Sequence, residues 1–219
     1  MQYFDQTWYD CTIDRVKEII NGKENFLVYD VGAGNSVLEK RIQSQGGHWM
    51  GFDYKPRRDD IREFNLEKPI PAELTDGNPD IILLLEVIEH LLNPGQAVAK
   101  LAEMAKKGTY LIITTPNPFW SVVRLKFLFL NKFPMFEKSD MDDNNHFFTA
   151  WPHVMEKLLD DNGFDVLRRF TTGQRAKFPR PALEIRYPAK ILVYVLRKFI
   201  EKVTPISKGM SFGFVAIKR

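Results

Sequence analysis

The sequence contains 219 residues, of which 44% are hydrophobic and 27% are charged, and its formal net charge is +3. This composition is typical of a folded globular protein and excludes a disordered chain. The longest uncharged apolar runs, such as residues 81–85 and 191–196, are too short to span a bilayer. The first residues lack the pattern of a signal peptide, and the single cysteine, Cys11, excludes an intrachain disulfide and a multi-cysteine zinc site. We therefore expect one cytoplasmic domain.

The charges are unevenly distributed along the chain. Residues 1–174 contain 20 Lys/Arg and 26 Asp/Glu, whereas residues 175–208 contain nine Lys/Arg and two Asp/Glu. A basic segment that is also partly apolar favours contact with an anionic ligand or surface. The alternative is that these charges are simply solvated.

The hydrophobic periodicity of the first half predicts helices and strands that alternate. In chain order these are a helix at 12–20, a strand at 26–30, a helix at 37–42, strands at 48–53 and 80–85, a helix from 94 to 105 and a strand at 109–115. Ser36 and Glu39 fit a capping box for the second helix, and Asn93 precedes a proline that begins the third. The alternation predicts an α/β fold with a Rossmann-like, doubly wound, mostly parallel sheet and helices on both faces.

The alternation breaks after Pro118. Residues 119–136 are aromatic and basic, and they are followed by a helix at 151–162, a strand at 164–170, a loop at 173–188, an amphipathic helix at 189–203 and a last strand at 211–218. We interpret residues 1–219 as a single domain with insertions at about 119–150 and 173–208.

A glycine loop at residues 30–36 (DVGAGNS) lies between a predicted strand and a predicted helix. Glycines at such a turn let a ligand approach main-chain atoms. A dinucleotide fingerprint would place a glycine at Val37, and the Gly-Lys-Ser/Thr of a P-loop is absent. Asp53 ends the next strand, 19 residues after Gly34, where a carboxylate can accept hydrogen bonds from both hydroxyls of a ribose. Together, the loop and Asp53 favour a nucleoside ligand over a structural turn.

At this point the sequence resembles the class I S-adenosylmethionine (SAM)-dependent methyltransferases, in their type 11/23-like branch. VYDVGAGNS resembles the first SAM motif, GFDY the ribose-binding acidic motif and FNLEKPIP the segment that passes the adenine. PDIILLLEVIEHLLNP resembles the fourth-strand motif, KKGTYLIITTPNPF the fifth strand and HFFTAWPHVMEKLLDDNGF a later helix of one branch. The six segments occur in family order across most of the chain. The resemblance implies a seven-stranded sheet and SAM as the cofactor.

Two departures from the family pattern stand out. Ser36 occupies a position where the family often has a third glycine, which is a common variation. Only 11 residues separate Asp53 from Asn65, so the helix usual between the second and third strands must be cut short.

The resemblance also implies roles for the residues of the first two motifs. Gly32, Ala33 and Gly34 would shape the methionine pocket, and Asp30 would fix the loop and face the amino group through water or backbone. Asp53 would hold the ribose.

The later motifs supply the remaining cofactor-binding candidates. Tyr54 would lie against the adenine, and the side-chain oxygen of Asn65 with the backbone of Leu66 would contact the adenine amino group. Leu85 and Glu86 would line the methionine side.

Two histidines are candidates for the acceptor site. His90 follows the fourth strand and His146 precedes an aromatic pair, and either side chain can act as a general base for an oxygen or nitrogen acceptor. The alternative is that His90 packs or caps a helix and that His146 satisfies a loop.

A metal site is a further alternative. Glu86, Glu89 and His90 share one side of their turn if it is helical, and a related branch of quinone-biosynthesis O-methyltransferases has a similar Glu-x-x-Glu-His. We predict that no metal is required, because packing and solvation explain the three residues more simply.

Residues 119–136 and 175–208 are the predicted acceptor region. Basic residues interleaved with aromatic ones suit acceptors that carry phosphate or carboxylate, including lipid-linked ones at an anionic membrane surface, whereas a net charge of only +3 argues against nucleic acid. The alternative is a purely structural role, in which these segments pack as a lid on the sheet. We expect methylation of oxygen or nitrogen in a small-molecule, glycan or lipid-linked acceptor, with weak membrane contact through 175–208.

A different class of function is also compatible with the sequence. PNPFWSVVRLKFLFLNKFPMF resembles the corresponding stretch of the MetW-type methionine-biosynthesis proteins, which act with an acyltransferase. The alternative prediction is therefore a non-catalytic partner of such an enzyme.

Overall fold

The computed structural model describes residues 6–35, 37–172 and 187–219. Within these residues the strands are β1 (Leu27–Val31), β2 (His48–Asp53), β3 (Ile61–Glu63), β4 (Ile81–Leu85), β5 (Tyr110–Pro116), β6 (Phe164–Thr172) and β7 (Ser211–Lys218). They form one seven-stranded sheet in the order β3-β2-β1-β4-β5-β7-β6. The pairs from β3 to β5 are parallel, and β7 runs antiparallel to both β5 and β6. The predicted mostly parallel, Rossmann-like sheet is confirmed.

Helices flank this sheet on both faces. They are α1 (Gln6–Ile20), α2 (Leu38–Gln43), α3 (Ala72–Thr75), α4 (Pro94–Met104), α5 (Ser121–Leu130), α6 (Lys138–Asn144), α7 (Pro152–Asp161) and α8 (Tyr187–Val203), with short 3-10 turns at Ile88–His90 and Pro205–Lys208. Among the helices so described, none has the length and apolar character that a membrane crossing requires.

The central strand β4 shows why the sequence predicts a sheet covered on both sides. All five of its side chains are buried. Ile82 and Leu84 join a core formed with α3, α4 and α7, whereas Ile81 and Leu83 join a second core formed with α1 and α2. A continuous apolar run is therefore required, because successive side chains of a strand point to opposite faces.

The predicted elements are found with shifts of a few residues at most of their ends, and β2 has the predicted bounds. The sequence did not predict β3, α3, α5 or α6. β3, α3 and α6 are short and carry few buried side chains, and α5 is apolar over most of its length, so it shows no alternation of polar and apolar sides. Residues 54–60 contain no helix, so the connection between β2 and β3 is shortened as expected. Arg58 holds this connection, since its guanidinium pairs with Glu39 and Asp60 and lies 5.5 Å from the ring of Trp49.

The predictions for the loop at 173–188 and for the cap of α2 are compared with the structure in turn. The predicted loop at 173–188 is wrong at its end, because Tyr187 and Pro188 already belong to α8; proline is tolerated in a first helical turn, where its missing N–H has no intrahelical partner. Residues 173–186, the rest of that loop, lie outside the described residues. Ser36, the predicted cap of α2, also lies outside them. Val37 holds the cap position before Leu38 and makes no side-chain cap hydrogen bond, so the predicted capping box, with Glu39 three residues after its cap, is not formed at the predicted position.

Candidate functional site

A cleft of about 440 Å³ opens at the carboxyl ends of β1, β2 and β4. The strand order reverses between β1 and β4, and the crevice at such a reversal is where open α/β sheets bind ligands. The residues that line the cleft come from α1, the loop after β1, α2, the segment after β2 and the end of β4: Tyr9, Asp30, Gly32, Ala33, Gly34, Asn35, Leu38, Asp53, Tyr54, Lys55, Pro56, Arg57, Leu85 and Glu86.

The glycine loop forms the floor of the cleft and is fixed by β2. The backbone N–H groups of Gly32 and Ala33 donate to the carbonyl oxygen of Phe52, at 2.7 and 2.9 Å. Gly32 has a φ of +80°, and a Cβ at this position would lie 2.3 Å from Cγ2 of Val87. Glycine is therefore required at position 32 both by the backbone conformation and by the close approach of Val87.

Three carboxylates line the cleft, and the two aspartates among them are oriented by hydrogen bonds from the protein. Asp53 is buried; its Oδ2 accepts a hydrogen bond from the N–H of Gly34 at 2.8 Å, and its Oδ1 accepts one from the N–H of Lys55 at 2.9 Å. Oδ2 of Asp30 accepts a hydrogen bond from Nε1 of Trp49 at 3.1 Å. A carboxylate has about four lone-pair sites, so Asp53 keeps acceptor capacity for a ligand while its geometry is fixed.

The structure brings most of the predicted cofactor-binding residues together and leaves two aside. The cleft is lined by Asp30, Gly32, Ala33, Gly34, Asp53, Tyr54, Leu85 and Glu86. Asn65 and Leu66, both described, are not in its lining. The amide oxygen of Asn65 accepts from the N–H of Glu67 at 2.8 Å, and the carbonyl oxygen of Leu66 accepts from Nζ of the buried Lys100 at 2.6 Å. The oxygen that the sequence assigned to the adenine therefore closes a local turn.

Sequence reasoning missed several lining residues. Lys55, Pro56 and Arg57 directly follow the GFDY motif, so their position after β2 was a usable signal. Tyr9 comes from α1, and no sequence pattern indicated that this helix reaches the cleft. Tyr9 and Asp30 both line the cleft, and the pKa of Tyr9 is raised, first by burial and then by the negative charge of Asp30.

Glu86 closes the cleft at the end of β4 in an unusual backbone conformation. Its φ is +55°, a left-handed value that is uncommon outside glycine, asparagine and aspartate. Its N–H donates to the carbonyl oxygen of Thr114 at 3.0 Å, and its Oε2 accepts from Oγ of Ser211 at 3.1 Å. Strands β5 and β7 thus hold a strained residue in place, and such strain is concentrated at functional sites.

The two candidate histidines, His90 and His146, are neighbours although 56 positions separate them. His90 lies in the 3-10 turn after β4, His146 lies just after α6, and their ring centroids are 4.8 Å apart. Nδ1 of His90 lies 2.8 Å from the carbonyl oxygen of Asn144, and Nδ1 of His146 lies 2.6 Å from that of Met135. A carbonyl oxygen only accepts, so each neutral ring carries its proton on Nδ1 and its lone pair on Nε2.

A buried carboxyl group, Glu89, lies between the histidines and the sheet. Its side chain is 1% exposed, and its Oε2 accepts from Oγ1 of Thr115 at 3.1 Å. The pKa of Glu89 is raised well above its usual range, first by burial and then by the charge of Glu86. Its backbone carbonyl accepts from the N–H groups of Phe147 and Phe148, which ties the segment after α6 to this turn.

The surroundings of His90 favour its neutral form. Its pKa is lowered, first by burial and then by the neighbouring His146. Hydrogen bonding to the backbone of Asn144, Asn145 and Glu86 raises the pKa of His90 and partly offsets this lowering.

Three described side chains are grouped so that they could hold a metal ion, and this group differs from the predicted one. Glu89, His90 and His146 each offer one ligand atom, and these atoms lie within 4.8 Å of one another, whereas Glu86 is not part of the group. Neutral imidazoles and a carboxylate suit divalent transition metals. The prediction that no metal is required stays a prediction.

The chain has clear similarity to proteins of known family. Residues 12–169 match the family described as "Methyltransferase domain". Together with the fold and the glycine loop, this match shows that the chain belongs to the class I SAM-dependent methyltransferase family.

Solved structures of this fold are similar across nearly the whole chain. A SAM-dependent methyltransferase from Archaeoglobus fulgidus has a TM-score of 0.59 at 18% identity and covers 96% of this chain and 94% of its own. Magnesium protoporphyrin IX methyltransferase from Synechocystis, solved with bound S-adenosylhomocysteine, has a TM-score of 0.58 at 16% identity and covers 96% and 84%. At these identities the likeness concerns the fold.

Curated relatives match a shorter part of the chain. The ubiquinone biosynthesis O-methyltransferase of Nitrosomonas europaea is 23% identical over 117 residues, 48% of this chain and 50% of the relative. The protein of the same name from Shewanella pealeana is 28% identical over 117 residues, 48% of each. The chain thus spans about half the length of the curated relatives it matches. Both relatives are methyltransferases by name, which does not favour the alternative of a non-catalytic MetW-like partner.

Proposed function

We propose that this protein is a SAM-dependent methyltransferase that binds SAM in the cleft above β1, β2 and β4. The main observation behind the proposal is that Gly32 and Asp53 lie in the same cleft. A glycine that cannot be replaced without a clash and a pre-oriented carboxylate face the same cleft. The family match and the solved neighbours support the same conclusion.

The cleft fits SAM in size and in chemistry. Its volume of about 440 Å³ lies in the range of small-molecule pockets. SAM combines a ribose, an adenine and a cationic methionine part. The cleft offers Asp53 at the end of β2 for the ribose, Tyr54 for the face of the adenine, and Asp30 and Glu86 on the β1 and β4 side for the cationic methionine part. Opposite charges and hydrogen-bond acceptors thus occupy the positions that such a ligand requires.

The protein contributes alignment to the reaction. When bound, SAM supplies an electrophilic methyl group on a sulfonium. The loop at residues 32–34, together with Leu85 and Glu86, holds the methionine part so that an acceptor can approach in line and water is excluded. The hydrogen bonds of Glu86 with Thr114 and Ser211 keep this wall in place, so it needs no adjustment at the moment of transfer.

The histidine pair is proposed as the acceptor side of the site. Nε2 of His90 carries the lone pair in the neutral ring, and the lowered pKa of His90 keeps that ring neutral at physiological pH. His90 can therefore take a proton from an oxygen or nitrogen acceptor, while His146 packs on its ring and fixes it. No step of this proposal uses a metal.

The acceptor is proposed to be a small molecule, of glycan or lipid-linked type, methylated on oxygen or nitrogen. Relatives named for ubiquinone biosynthesis and for magnesium protoporphyrin IX support a small-molecule acceptor. The proposed compartment is the cytoplasm, with weak contact to an anionic membrane surface through residues 175–208. The insertions at about 119–150 and 173–208 would shape the acceptor side of the single domain.

The cofactor assignment is tested by Asp53→Ala. Loss of two charge-assisted hydrogen bonds to the ribose should cost roughly 2–4 kcal/mol of SAM affinity. Asp59→Ala is the matched control, because it removes an exposed carboxylate from the same connection. Isothermal titration calorimetry with SAM should show the loss only for Asp53→Ala. Equal affinities for the two variants would refute the assignment.

Turnover needs a separate test. Incubation of the protein with an extract and methyl-labelled SAM, followed by mass spectrometry, should identify a labelled acceptor and also S-adenosylhomocysteine. Activity should survive a chelator. SAM that binds without turnover, in a chain that co-purifies with an acyltransferase, would instead favour the non-catalytic alternative.

A further inference from the structure

The orientation of α8 is opposite to that of an ordinary surface helix. Glu201 is 5% exposed, and its Oε1 accepts from Oγ of Ser121 at 2.8 Å. Nε of Arg197 donates to the same Ser121 hydroxyl at 3.0 Å, and its guanidinium lies 5.6 Å from the ring of Trp120. The helix thus turns charged side chains toward the start of α5, where a surface helix of a soluble protein would place apolar ones.

The opposite side of α8 exposes apolar side chains. Leu192, Val195, Phe199 and Val203 follow one another at intervals of three and four residues, so they form one stripe along the helix. Each is more than half exposed, and Phe199 and Val203 reach 65%. Isolated exposed apolar residues need no explanation, but a continuous stripe of this length indicates a surface that is covered by something else.

The far end of α5, the helix whose start packs against α8, is a second exposed apolar feature. Residues 126–130 of α5 are all exposed, and four of them are Phe127, Leu128, Phe129 and Leu130. Four successive residues cover every side of a helical turn, so this turn exposes apolar surface all around it, with the ring of Phe127 also meeting that of Phe133 at a centroid distance of 6.1 Å. We call Phe127–Leu130 together with the stripe on α8 the α5–α8 surface.

The exposed charges of the two helices are of one sign. Lys126 and Lys132 flank the exposed turn of α5, and Lys198 and Lys202 are exposed on α8. Glu201, the acidic residue of α8, is buried against Ser121. A second copy of this chain would bring lysines against lysines, and nucleic acid would leave the apolar stripe uncovered. Apolar side chains with a basic rim match an anionic bilayer, which offers acyl chains below negative headgroups.

We propose that the α5–α8 surface docks this protein on an anionic lipid bilayer, with Phe127–Leu130 and the stripe on α8 in the headgroup region and the flanking lysines at the phosphates. This inference deepens the membrane contact of the proposed function by naming its surface, but it does not depend on SAM binding. The association is reversible, because no described helix spans the membrane and surface charges are screened by salt.

Sedimentation with vesicles tests the inference in the full-length protein. The chain should sediment with phosphatidylglycerol–phosphatidylcholine vesicles at low salt and much less with phosphatidylcholine alone. Phe199→Ser should lower the partition coefficient about tenfold, since it removes one aromatic side chain that would be buried in the bilayer. The matched control is Leu167→Ser, which removes a side chain that is 56% exposed on β6, and it should change nothing.

The charge contribution is tested with Lys126→Gln/Lys202→Gln. Two lysines at an anionic surface contribute about 30-fold to binding at low salt, and the effect should shrink as salt is added. The control is Lys106→Gln/Lys107→Gln, an exposed pair before β5. A reversal of Arg197 is unsuitable, because Arg197 is part of the buried contact with Ser121.

Several outcomes would overturn the inference. In the vesicle experiment these are equal binding to neutral and anionic vesicles, or no sedimentation at low salt. Among the variants, an equal loss of vesicle binding in Leu167→Ser and Phe199→Ser would contradict the inference. A dimer that is seen in analytical ultracentrifugation and is abolished by Phe199→Ser would assign the surface to a second copy of the chain. SAM affinity is measured on the same samples. Vesicle binding without SAM binding would refute the proposed function alone, and SAM binding without vesicle binding would refute this inference alone.

Discussion

The cleft and the α5–α8 surface use buried polar groups for opposite purposes. In the cleft, the backbone hydrogen bonds of the glycine loop and Asp53 orient groups toward an open space. Between α5 and α8, the hydroxyl of Ser121 donates to Glu201 and accepts from Arg197, so these polar groups are satisfied within the protein. The apolar side chains of α8 are exposed on its other side. The first region directs its polar groups into an open cleft, whereas the second exposes apolar side chains that the described residues leave largely uncovered.

This difference separates two kinds of evidence for function. A pre-oriented polar site identifies its ligand by chemistry, because each acceptor and each close approach restricts what fits. An exposed apolar stripe identifies only the kind of surface that covers it.

The largest effect is expected for Gly32→Ala. The new Cβ would collide with Val87, and alanine would have to adopt a φ of +80°, so we expect about 2–4 kcal/mol lower stability and loss of SAM binding. Gly22→Ala has a similar φ of +82° but nothing within 4 Å of its Cβ, so it should cost only about 1 kcal/mol. Urea unfolding measures both. Equal losses would mean that strain alone, and not the contact with Val87, requires the glycine.

The next effect concerns α8. Glu201→Ala should lower the free energy of unfolding by about 2–3 kcal/mol, because it leaves the Ser121 hydroxyl and the Arg197 guanidinium without their buried acceptor. Phe199→Ser, on the exposed side of the same helix, should change it by less than about 0.5 kcal/mol. Denaturant titrations of the two variants give the comparison. A larger loss for Phe199→Ser would mean that the apolar stripe is packed within the protein.

A smaller and stabilising effect is expected for Glu89→Gln. The pKa of Glu89 is raised in the folded state, so the wild type is most stable where the carboxyl is protonated in both states, below its ordinary value of 4.5, and loses stability as the pH rises. The amide should therefore add about 1 kcal/mol at pH 7 and less near pH 5. Thermal melts at several pH values measure this, with exposed Glu103→Gln as the control. A variant that is less stable at pH 7 would contradict the stated cause of the shift.

The smallest effect concerns His90. Its folded-state pKa is lowered, so the unfolded chain takes up a proton more readily, and the wild type should lose stability as the pH falls below about 6.5. His90→Asn should remove about 1 °C of the difference in Tm between pH 8 and pH 5, a small value because the ring is 38% exposed. His48→Asn, at the exposed start of β2, serves as the control. An unchanged pH dependence in His90→Asn would show that another group is responsible.

The sequence was most informative where a local pattern has one structural solution. The apolar run of β4 requires burial on both faces, and the glycines after β1 require a backbone that only glycine adopts easily. Eight predicted residues therefore line the cleft. It was least informative for β3, α3 and α6, because short elements with few buried side chains have no clear periodicity. It also missed α5, because a segment that is apolar on nearly every side lacks the polar face by which a helix is recognised.

The sequence by itself determined the α/β class, the family and the cofactor cleft, because these depend on local patterns at strand ends. The tertiary structure alone decided which distant groups meet: Tyr9 with Asp30, His90 with His146, and Ser121 with Glu201. It also decided the orientation of α8. The amphipathic pattern is the same whichever side faces inward, and the contacts of Arg197 and Glu201 with Trp120 and Ser121 select the side that carries these two residues. Periodicity defines the faces of a helix, but the partner that each face meets is set by contacts between residues far apart in the chain.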